Sequence, residues 1–370
     1  MIVGVPCEIK NNEYRVGLLP VHCEALRDAG HTVLVERAAG EGSGAFDRDY
    51  REAGARIVGS AREIYRRAQM IVKVKEPQPA ESARLQRGQI VFTYFHFAAE
   101  PKLFAATLRN GIVAVAYETI QLPDGTLPLL TPMSEIAGRM AVHEGAKFLE
   151  EPMKGRGLLL AGVPGVAPAK VCVLGGGIVG ANAAKMAAGL GADVTILDVS
   201  LPRLRYLDDV MPKNVKTLMS NAHNIREQVR DADLLIGAVL RPGARAPRLV
   251  SRKLVHQMKH GAVIVDVAID QGGCVETARP TTHDKPTYLV HGVVHYCVTN
   301  MPGAVARTST YALTNATFPY ALELANKGWK RAARNNPAIA AGLNVVEGRV
   351  LHADLAELFR QPLATLNSVL

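Results

Sequence analysis

Short apolar runs alternate with amphipathic stretches along most of the chain. The apolar run "MIVGV" precedes "PVHCEALRDAG", in which Pro20 suits the first position of a helix, and "HTVLVE" follows. The same alternation continues through "QMIVKVKEP", "QIVFTYFHF", "PKLFAATLRNG" and "IVAVAYET". Because strands separated by helices of this length normally form a parallel sheet, the pattern predicts a first α/β domain that ends near residue 130.

A turn-rich segment, "LPDGTLPLLTP" at residues 122–132, leads into a second alternating region. Ser134 is placed to cap a long helix that ends before Pro152. Five predicted strands then alternate with helices, in the order "KVCVL", "ADVTILD", "VKTLMS", "LLIGAVL" and "AVIVDVAID". Another long helix covers residues 305–328, and we expect residues 337–370 to return to the first domain. The pattern predicts an α/β fold of two doubly wound, Rossmann-like domains joined by long helices, with the active site in the cleft between them.

Three glycines in "VLGGGIVGANAAKMA" have the spacing G-x-G-x-x-G. The spacing alone is weak evidence, but here it directly follows an apolar strand and opens an Ala-rich helix. In that setting Gly175 allows a tight turn, Gly177 lets a pyrophosphate approach the backbone, and Gly180 allows close packing of the helix. The helix N-terminus then faces the phosphates, so the motif predicts a dinucleotide site.

Asp198 ends the strand that follows the glycine loop and its helix. A carboxylate at this position accepts hydrogen bonds from the ribose hydroxyls of NAD and repels the 2′-phosphate of NADP, so we predict that NAD is the cofactor. Arg203 and Arg205 lie nearby, where either could hold a 2′-phosphate or could be exposed on the following turn. We assign residues 131–307 to an NAD-binding Rossmann domain, and residues 1–130 with 308–370 to a substrate-binding and catalytic domain.

Composition narrows the class of protein further. The 370 residues are 48% hydrophobic and 21% charged, which suits two folded domains, and the five cysteines are odd in number without a C-x-x-C pair. We therefore expect reduced thiols and no metal site. The net charge of +9 includes one dense basic patch, "KGWKRAARNN", with no nucleic-acid recognition motif. The apolar stretches are interrupted by Pro and Lys, and no secretion signal is evident, so we expect no membrane partner and a cytoplasmic protein.

Polar residues at the carboxyl ends of the predicted strands are the candidates for chemistry, because ligands bind there in open α/β sheets. Lys75, His96, Glu118 and Asp270 each end a predicted strand, and Arg15 lies in the loop after the first one. Taken singly, each has a plain structural interpretation. The lysine and arginine could be surface charges, the glutamate a salt-bridge partner, the aspartate a turn former and the histidine a core residue.

Two further charges, Lys73 and Asp266, are expected within the buried strands. Each shares a strand face with a strand-end candidate, Lys75 or Asp270, so periodicity does not separate the members of a pair. Position at the strand end favours the later member for chemistry. A buried parallel strand tolerates a charge only beside a partner, so Lys73 and Asp266 are predicted to have partners that the sequence does not name.

Together the strand-end residues suit the oxidation of a small 2-amino or 2-hydroxy acid. Two cations can hold a carboxylate, and a histidine with an ordinary pKa of about 6.5 can move protons in both directions. Hydride leaves the α-carbon only as the attached nitrogen or oxygen loses a proton or positive charge. An amino-acid substrate also requires addition of water to an imine, and Asp270 could activate that water.

Seven segments, in one order from residue 1 to about residue 365, resemble the alanine dehydrogenase family. They are "MIVGVPCEIKNNEYRVGLLP", "VKVKEPQ", "FTYFHFAAEP", "LPLLTPMSEIAGRMA", "VLGGGIVGANAAKMAAGLGADVTILD", "VIVDVAIDQGG" and "VHYCVTNMPGAVARTST". The resemblance implies reversible, NAD-dependent oxidative deamination of L-alanine to pyruvate and ammonia, on a two-domain subunit that assembles as a homohexamer. The loop "GGGIVG" departs from the usual family sequence between its glycines but keeps all three of them.

The resemblance also assigns roles to individual residues. It implies that His96 and Asp270 are the acid/base residues. It places substrate contacts at Arg15, Lys75, Met133 and Asn300, and cofactor contacts at Ser134, Gly175, Gly177, Ile178, Val179, Gly180, Asp198, Arg203, Ser220, Asp270 and Met301.

Three alternatives stay open from the sequence. One is a related amino-acid dehydrogenase with another side-chain preference or a glyoxylate-reducing activity. Another is the NAD-binding component of a proton-translocating transhydrogenase, which would need membrane partners and would not use Arg15, Lys75 and His96. The third is a catalytically idle NAD-binding or interaction protein, which the intact set of strand-end residues disfavours.

Overall fold

The computed structural model describes residues 1–239 and 246–370. The chain divides into two compact units: the first contains Met1–Met133 and Gly303–Leu370, and the second contains Ser134–Pro302. The sequence had suggested boundaries after residues 130 and 307. Both units are α/β structures with sheets that are mostly parallel, as predicted from the alternation of apolar runs and amphipathic stretches.

The helices and strands follow one another in an almost regular alternation. The first unit begins with β1 (Ile2–Val5), α1 (Pro20–Asp28), β2 (Thr32–Glu36), α2 (Asp47–Glu52), β3 (Arg56–Val58), α3 (Ala61–Arg67), β4 (Met70–Val72), α4 (Pro79–Ser82), β5 (Ile90–Thr93), α5 (Pro101–Asn110), β6 (Val113–Ala116) and α6 (Thr131–Phe148), the last of which continues into the second unit. The second unit then contains β7 (Lys170–Leu174), α7 (Ile178–Gly189), β8 (Asp193–Asp198), α8 (Leu201–Val210), β9 (Val215–Met219), α9 (Ala222–Asp231), β10 (Leu234–Gly237), α10 (Arg252–Val255), β11 (Val263–Asp266), β12 (Thr287–Val290) and β13 (Val293–Tyr296). The chain returns to the first unit with α11 (Ala306–Asn335), α12 (Pro337–Gly342), β14 (Leu343–Val346), β15 (Arg349–Val350) and α13 (Ala353–Leu358).

The first sheet has the strand order β15-β14-β6-β5-β4-β1-β2-β3. The six strands from β6 to β3 are parallel, whereas β14 runs antiparallel to β6 and β15 antiparallel to β14. Successive residues of β4 point to opposite faces: Met70 and Val72 join one apolar core, and Ile71 joins the other. This burial on both faces is why the strands read as continuous apolar runs.

The second sheet has the order β12-β13-β11-β10-β7-β8-β9, and only β12 is antiparallel to its neighbour. Two hairpins, β12–β13 and β14–β15, were not predicted. Their turns are His291-Gly292 and Glu347-Gly348, and all four residues have positive φ. A residue followed by glycine between two apolar runs is a signal that could have revealed both hairpins.

Several predicted elements begin or end elsewhere. Ser134 is not an N-cap, because α6 already begins at Thr131 and has Pro132, which suits a first helical turn, as its second residue. The strand predicted as "LLIGAVL" ends at Gly237, and its last residue, Leu240, lies outside the described residues. The helix predicted over 251–261 is reduced to α10, which Ser251 caps. Among residues 1–239 and 246–370 there is no helix with the length and apolarity to cross a membrane.

Candidate active site

The switch point of the first sheet lies between β1 and β4. From this pair of strands the chain winds outward in opposite directions, an arrangement that leaves a crevice at the carboxyl ends, where ligands bind. Arg15 follows β1, Lys75 follows β4, His96 follows β5 and Glu118 follows β6. Four of the five strand-end candidates therefore lie beyond the carboxyl edge of neighbouring strands in this one sheet.

Arg15 is buried, with an exposed fraction of 2%, and is paired with an acid that the sequence analysis missed. Its Nε and Nη2 donate to the two carboxylate oxygens of Glu13, at 2.6 and 2.5 Å. Its Nη1 donates to Sδ of Met133 at 3.1 Å. The two-point contact with Glu13 fixes the plane of the guanidinium, and the contact with Met133 brings together two of the predicted substrate residues.

Lys75 is half-buried beside this pair. Burial lowers the pKa of its ammonium, and the neighbouring Arg15 guanidinium lowers it further, although Glu76 and Glu13 partly offset these effects. Two cations that are held close together repel each other, and an anion that binds between them relieves this repulsion. The pair is therefore suited to bind a carboxylate.

Lys73 was expected within a strand, but β4 ends at Val72 and Lys73 lies directly after it. Its Nζ donates to Glu8 Oε2 at 3.0 Å and to Glu81 Oε1 at 2.8 Å, and all three side chains are at least 98% buried. Burial alone would lower the pKa of Lys73, but the two carboxylates raise it. The unnamed partners are thus Glu8 and Glu81, and the lysine belongs to the interior of the unit.

His96 was expected at the end of a strand, but β5 ends at Thr93 and His96 lies three residues further on. Its backbone is left-handed, with φ 50° and ψ 37°. The ring stacks on Tyr94 with centroids 5.7 Å apart, and Nδ1 lies 3.1 Å from Glu76 Oε2. The side chain is 40% exposed, so the ring is held on one side and accessible on the other.

Glu76 determines how the His96 ring can act. Burial would raise the pKa of this carboxyl, but the hydrogen bond with His96 and the ammonium of Lys10 lower it to about 2. A carboxylate that is ionised at neutral pH only accepts hydrogen bonds, so Nδ1 of His96 must carry the proton that lies between them. Nε2 is then the nitrogen that is available for proton transfer.

Among residues 1–239 and 246–370, the Glu118 carboxylate forms no salt bridge and instead contacts the backbone of the His96 turn. Its Oε1 accepts the N–H of Phe95 at 3.0 Å and that of His96 at 2.7 Å, and its Oε2 lies 3.2 Å from the Phe95 nitrogen. The interpretation of Glu118 as a salt-bridge partner is therefore wrong. The carboxylate caps the two backbone groups that follow β5.

The glycine loop between β7 and α7 has the geometry that a pyrophosphate needs. Gly175 has φ 100°, a conformation that side chains rarely allow, and a Cβ on Gly180 would lie 1.7 Å from the carbonyl oxygen of Gly175. A Cβ on Gly177 would instead meet nothing within 4 Å. The two outer glycines are required by the local packing, whereas Gly177 opens space at the N-terminus of α7.

Asp198 and Arg203 both contact the middle of this loop. Asp198 Oδ2 accepts the N–H of Gly176 at 2.6 Å, and Arg203 Nε donates to the Gly176 carbonyl at 2.6 Å. The backbone of Ser220 donates to the Asp198 carbonyl at 2.9 Å, which brings it to the same strand end. Arg205 is exposed on α8.

The remaining predicted cofactor residues lie in the second unit. Ile178 and Val179 form the first turn of α7, where the carbonyl of Val179 would be 2.2 Å from a Cβ on Gly138 of α6. Ser134 is half-buried in the first turns of α6. Asn300 has a left-handed backbone with φ 60°, and Met301, which follows it, is only 3% exposed.

Asp270 and Asp266 have different roles in the loop after β11. Asp266 is the last residue of that strand rather than a mid-strand charge, and it is 1% exposed. Its Oδ2 accepts the N–H groups of Cys274 and Val275 at 2.9 and 3.1 Å, and its Oδ1 accepts the Cys274 thiol at 3.6 Å, so its partners are backbone groups and a neutral thiol. Burial raises the pKa of Asp266 to about 6. Asp270 is exposed in a short 3-10 helix. This helix lies in the loop whose two ends are joined by the hydrogen bonds between Asp266 and the residues Cys274 and Val275.

The two units define a dinucleotide-binding α/β protein, and the first of them carries a pair of neighbouring cations and an oriented histidine beyond the carboxyl edge of its sheet. Within the part of the chain that the structure describes, no group of three or more His, Cys, Asp or Glu residues could hold a metal ion. The five cysteines are all free thiols.

The chain belongs to the alanine dehydrogenase/PNT family. The model of the family's N-terminal domain matches residues 4–137, and the model of its C-terminal domain matches residues 141–353. An alanine dehydrogenase from Methanococcus maripaludis is 57% identical over 363 residues, which are 98% of this chain and 97% of that protein.

Two solved structures extend the comparison. One of an L-alanine dehydrogenase has a TM-score of 0.95 at 55% identity and covers 97% of this chain and 99% of its own. A transhydrogenase from Sinorhizobium meliloti has a TM-score of 0.81 at 27% identity, with 95% and 99% covered. The fold is therefore shared with a transhydrogenase, but the sequence is much closer to the alanine dehydrogenases.

Proposed function

We propose that this protein is an NAD-dependent L-alanine dehydrogenase. It would convert L-alanine, NAD and water reversibly into pyruvate, ammonium, NADH and a proton. The observation that carries the proposal is the group at the carboxyl edge of the first sheet, where buried Arg15 lies near half-buried Lys75, and Glu76, the residue after Lys75, orients His96. The resemblance to alanine dehydrogenases over nearly the whole chain supports the same activity.

Arg15 and Lys75 would bind the carboxylate of the substrate and orient its carbonyl or amino end. The thioether of Met133 is a weak acceptor for Arg15 Nη1, so a carboxylate would replace it with a stronger, charge-assisted bond. Met133 would then lie beside the substrate. Glu13 holds the guanidinium in place throughout, since its contacts use other nitrogens than Nη1.

His96 would move the proton at the reacting end of the substrate. In the neutral ring, Nε2 is the acceptor, because Nδ1 carries the proton that faces Glu76. Nε2 would take a proton from the substrate as the α-carbon is oxidised and return it in the reverse direction. The ionised Glu76 stabilises the imidazolium that forms in between.

Asp270 would complete the reaction of an amino acid, which passes through an imine that must add water. Its carboxylate is exposed to solvent, so water can reach it, as a group that activates a water molecule requires. Asn300, in its left-handed turn, would contribute a further substrate contact.

NAD fits the residues of the second unit. When bound, it supplies the acceptor for the hydride of the substrate. The open space at Gly177 and the N-terminus of α7 would bind its pyrophosphate, and Asp198 would bind the ribose hydroxyls. Arg203 is engaged with the Gly176 carbonyl, so we infer that it favours the loop conformation rather than a 2′-phosphate. Ser134, Ile178, Val179, Ser220 and Met301 would supply the remaining contacts.

A substrate panel tests the activity. Purified protein is mixed with NAD and L-alanine, glycine, L-serine or lactate at alkaline pH, and NADH is followed by absorbance. We expect the highest kcat/KM with L-alanine. No rise in absorbance with any amino acid would refute the proposal, and a preference for serine or glycine would correct only its substrate. Hydride exchange between NADH and an oxidised nucleotide analogue, without alanine, would indicate a transhydrogenase component instead.

The His96→Ala variant tests the assigned chemistry. We expect it to lose most turnover while it binds NAD with nearly the affinity of the wild type, because His96 and the glycine loop belong to different units. Isothermal titration with NAD is the control. Turnover close to that of the wild type would remove His96 from the mechanism.

We also propose that the protein is cytoplasmic and that it assembles as a homohexamer; the assembly is an expectation that rests on the family resemblance. Sedimentation velocity of the purified chain tests the assembly. A monomer at micromolar concentration would contradict it.

A further inference from the structure

We propose that Glu118 is a positioning residue for His96, acting through the backbone and not through the reacting atoms. Its carboxylate stabilises the left-handed turn that determines where the imidazole lies. The inference rests on the proposed function, because it takes His96 to be the proton-transfer residue.

The conformation of His96 requires an explanation. At φ 50° and ψ 37°, a residue with a Cβ is strained relative to ordinary strand or helix geometry, so surrounding contacts must stabilise the turn. Glu118 Oε1 accepts the N–H groups of Phe95 and His96, at 3.0 and 2.7 Å. Those are the two consecutive donors that enter the left-handed residue. One oxygen bound to both keeps them pointing to the same side.

Glu118 is itself attached to rigid parts of the unit. It lies in the 3-10 helix Tyr117–Thr119, directly after the buried strand β6. The Tyr117 ring packs edge-on against Phe92, with centroids 4.3 Å apart, and the Thr119 hydroxyl donates to Asn344 at 2.8 Å. The carboxylate thus connects the end of β6 to the turn after β5. A fixed support of this kind is what a precisely oriented acid/base group needs.

The ring of His96 contacts a different acid. Its Nδ1 faces Glu76, whereas Glu118 meets only the backbone nitrogens of Phe95 and His96 in the described contacts of its carboxylate. Glu76 therefore orients the ring, and Glu118 orients the segment that carries it. Only the first of these roles depends on a negative charge, since a neutral oxygen also accepts an N–H.

Two conservative variants distinguish positioning from a charge effect. Glu118→Gln keeps the length of the side chain and an oxygen that can accept both N–H groups, but loses the charge. Glu118→Asp keeps the charge but is one methylene shorter, so its oxygens lose the hydrogen-bonding positions. If Glu118 positions His96, Glu118→Gln should lower kcat with L-alanine by less than about 5-fold, and Glu118→Asp should lower it by about 10- to 100-fold. Neither variant should change the affinity of the protein for NAD.

The opposite order would overturn the proposal. If Glu118→Asp is active and Glu118→Gln is not, the charge matters and Glu118 belongs to the chemistry. The pH profile of kcat/KM gives an independent check, because a residue that acts through the backbone leaves its shape unchanged in Glu118→Gln. A profile that loses one limb in this variant would also overturn the proposal.

A double-mutant cycle tests whether Glu118 acts through His96. In a His96→Asn background, where the proton-transfer group is gone, Glu118→Asp should reduce the residual activity by less than about 2-fold, because residues that act as a unit are not additive. The same loss in both backgrounds would contradict the proposal. An inactive wild-type protein would instead refute the proposed function.

Glu36 offers a matched control. Its carboxylate also accepts two backbone N–H groups in the first unit, those of Cys7 and Ala61, at 2.8 and 2.9 Å. Glu36→Asp should lower the thermal midpoint in the way that Glu118→Asp does, with kcat unchanged. If Glu36→Asp reduces kcat as much as Glu118→Asp does, the effect is a general loss of stability and the positioning role is refuted.

Discussion

The buried carboxyl of Asp266 makes the stability of the second unit depend on pH in an unusual direction. Burial raises its pKa from 3.8 to about 6. Between these two values the folded protein binds more protons than the unfolded chain, so the free energy of unfolding falls as pH rises through this range. Above pH 7 the ionised, buried group is a net cost to the fold. Asp266→Asn removes that cost.

The magnitude follows from the shift. About two pKa units correspond to about 3 kcal/mol at 1.36 kcal/mol per unit. The asparagine oxygen can still accept the N–H groups of Cys274 and Val275, which both meet Oδ2 in the wild type. Its amide nitrogen would then lie beside the Cys274 sulfur, a weak acceptor, at a cost of about 1 kcal/mol. The variant should therefore be more stable by about 2 kcal/mol at pH 8, and less stable by about 1 kcal/mol at pH 4.

Differential scanning calorimetry between pH 4 and pH 8 measures this change of sign. In a unit of this size, 2 kcal/mol corresponds to an increase of about 4–8 °C in the midpoint of unfolding. Tryptophan fluorescence is unsuitable, because the single tryptophan, Trp329, belongs to the first unit. Asp209→Asn is the control, since Asp209 is exposed on α8 and its substitution should shift the midpoint equally at both pH values.

An Asp266→Asn protein that is less stable than the wild type by the same amount at pH 4 and pH 8 would refute the reasoning. That result would mean that the carboxylate is as well stabilised by its backbone donors as it is in water. The aspartate would then support the fold through its hydrogen bonds and packing, independently of its charge.

Three further predictions concern packing and the cofactor. Gly180→Ala should abolish measurable NAD binding in isothermal titration, because its Cβ would meet the Gly175 carbonyl at 1.7 Å, whereas Gly189→Ala at the end of the same helix meets nothing and should bind normally. Asp198→Ala should weaken NAD binding by about 10-fold or more through loss of the ribose contact, and an unchanged Kd would count against that contact. Lys73→Met should destabilise the first unit by about 3–5 kcal/mol, because two buried carboxylates lose their cation. Urea unfolding followed by tryptophan fluorescence measures this loss. A loss below about 1 kcal/mol would show that one of the two carboxylates is already protonated.

The sequence predicts the fold well where periodicity is the signal. The α/β alternation and the glycine loop are local patterns, and the structure confirms the two-unit, mostly parallel architecture. The strand ends were less well predicted: β4, β5 and β11 each end before the last polar residue that was assigned to them. Polar groups past the edge of a sheet belong to turns with irregular φ, as at His96, and a period of two residues carries no information about such turns.

The acids of the candidate site were the main omission. Glu13 and Glu76 lie within two residues of predicted cations, so adjacency was an available signal for both. Glu8 and Glu81, by contrast, approach Lys73 from other elements of the fold. That pairing depends on tertiary structure, which a single sequence does not reveal. The backbone partners of Glu118 also belong to another strand end, so the sequence did not reveal them either.

The order of strands in the first sheet has a consequence for synthesis of the protein. Strand β6 is fully buried and pairs with β14, which the ribosome delivers only after the whole second unit has been made. Until then, the nascent chain presents β6 as an open apolar edge, the kind of edge that recruits other strands and leads to aggregation. The second unit has no such delay, since its strands are contiguous in the chain. Chaperone demand during translation should therefore fall on the first unit, and truncations before residue 343 should leave it unable to close its sheet.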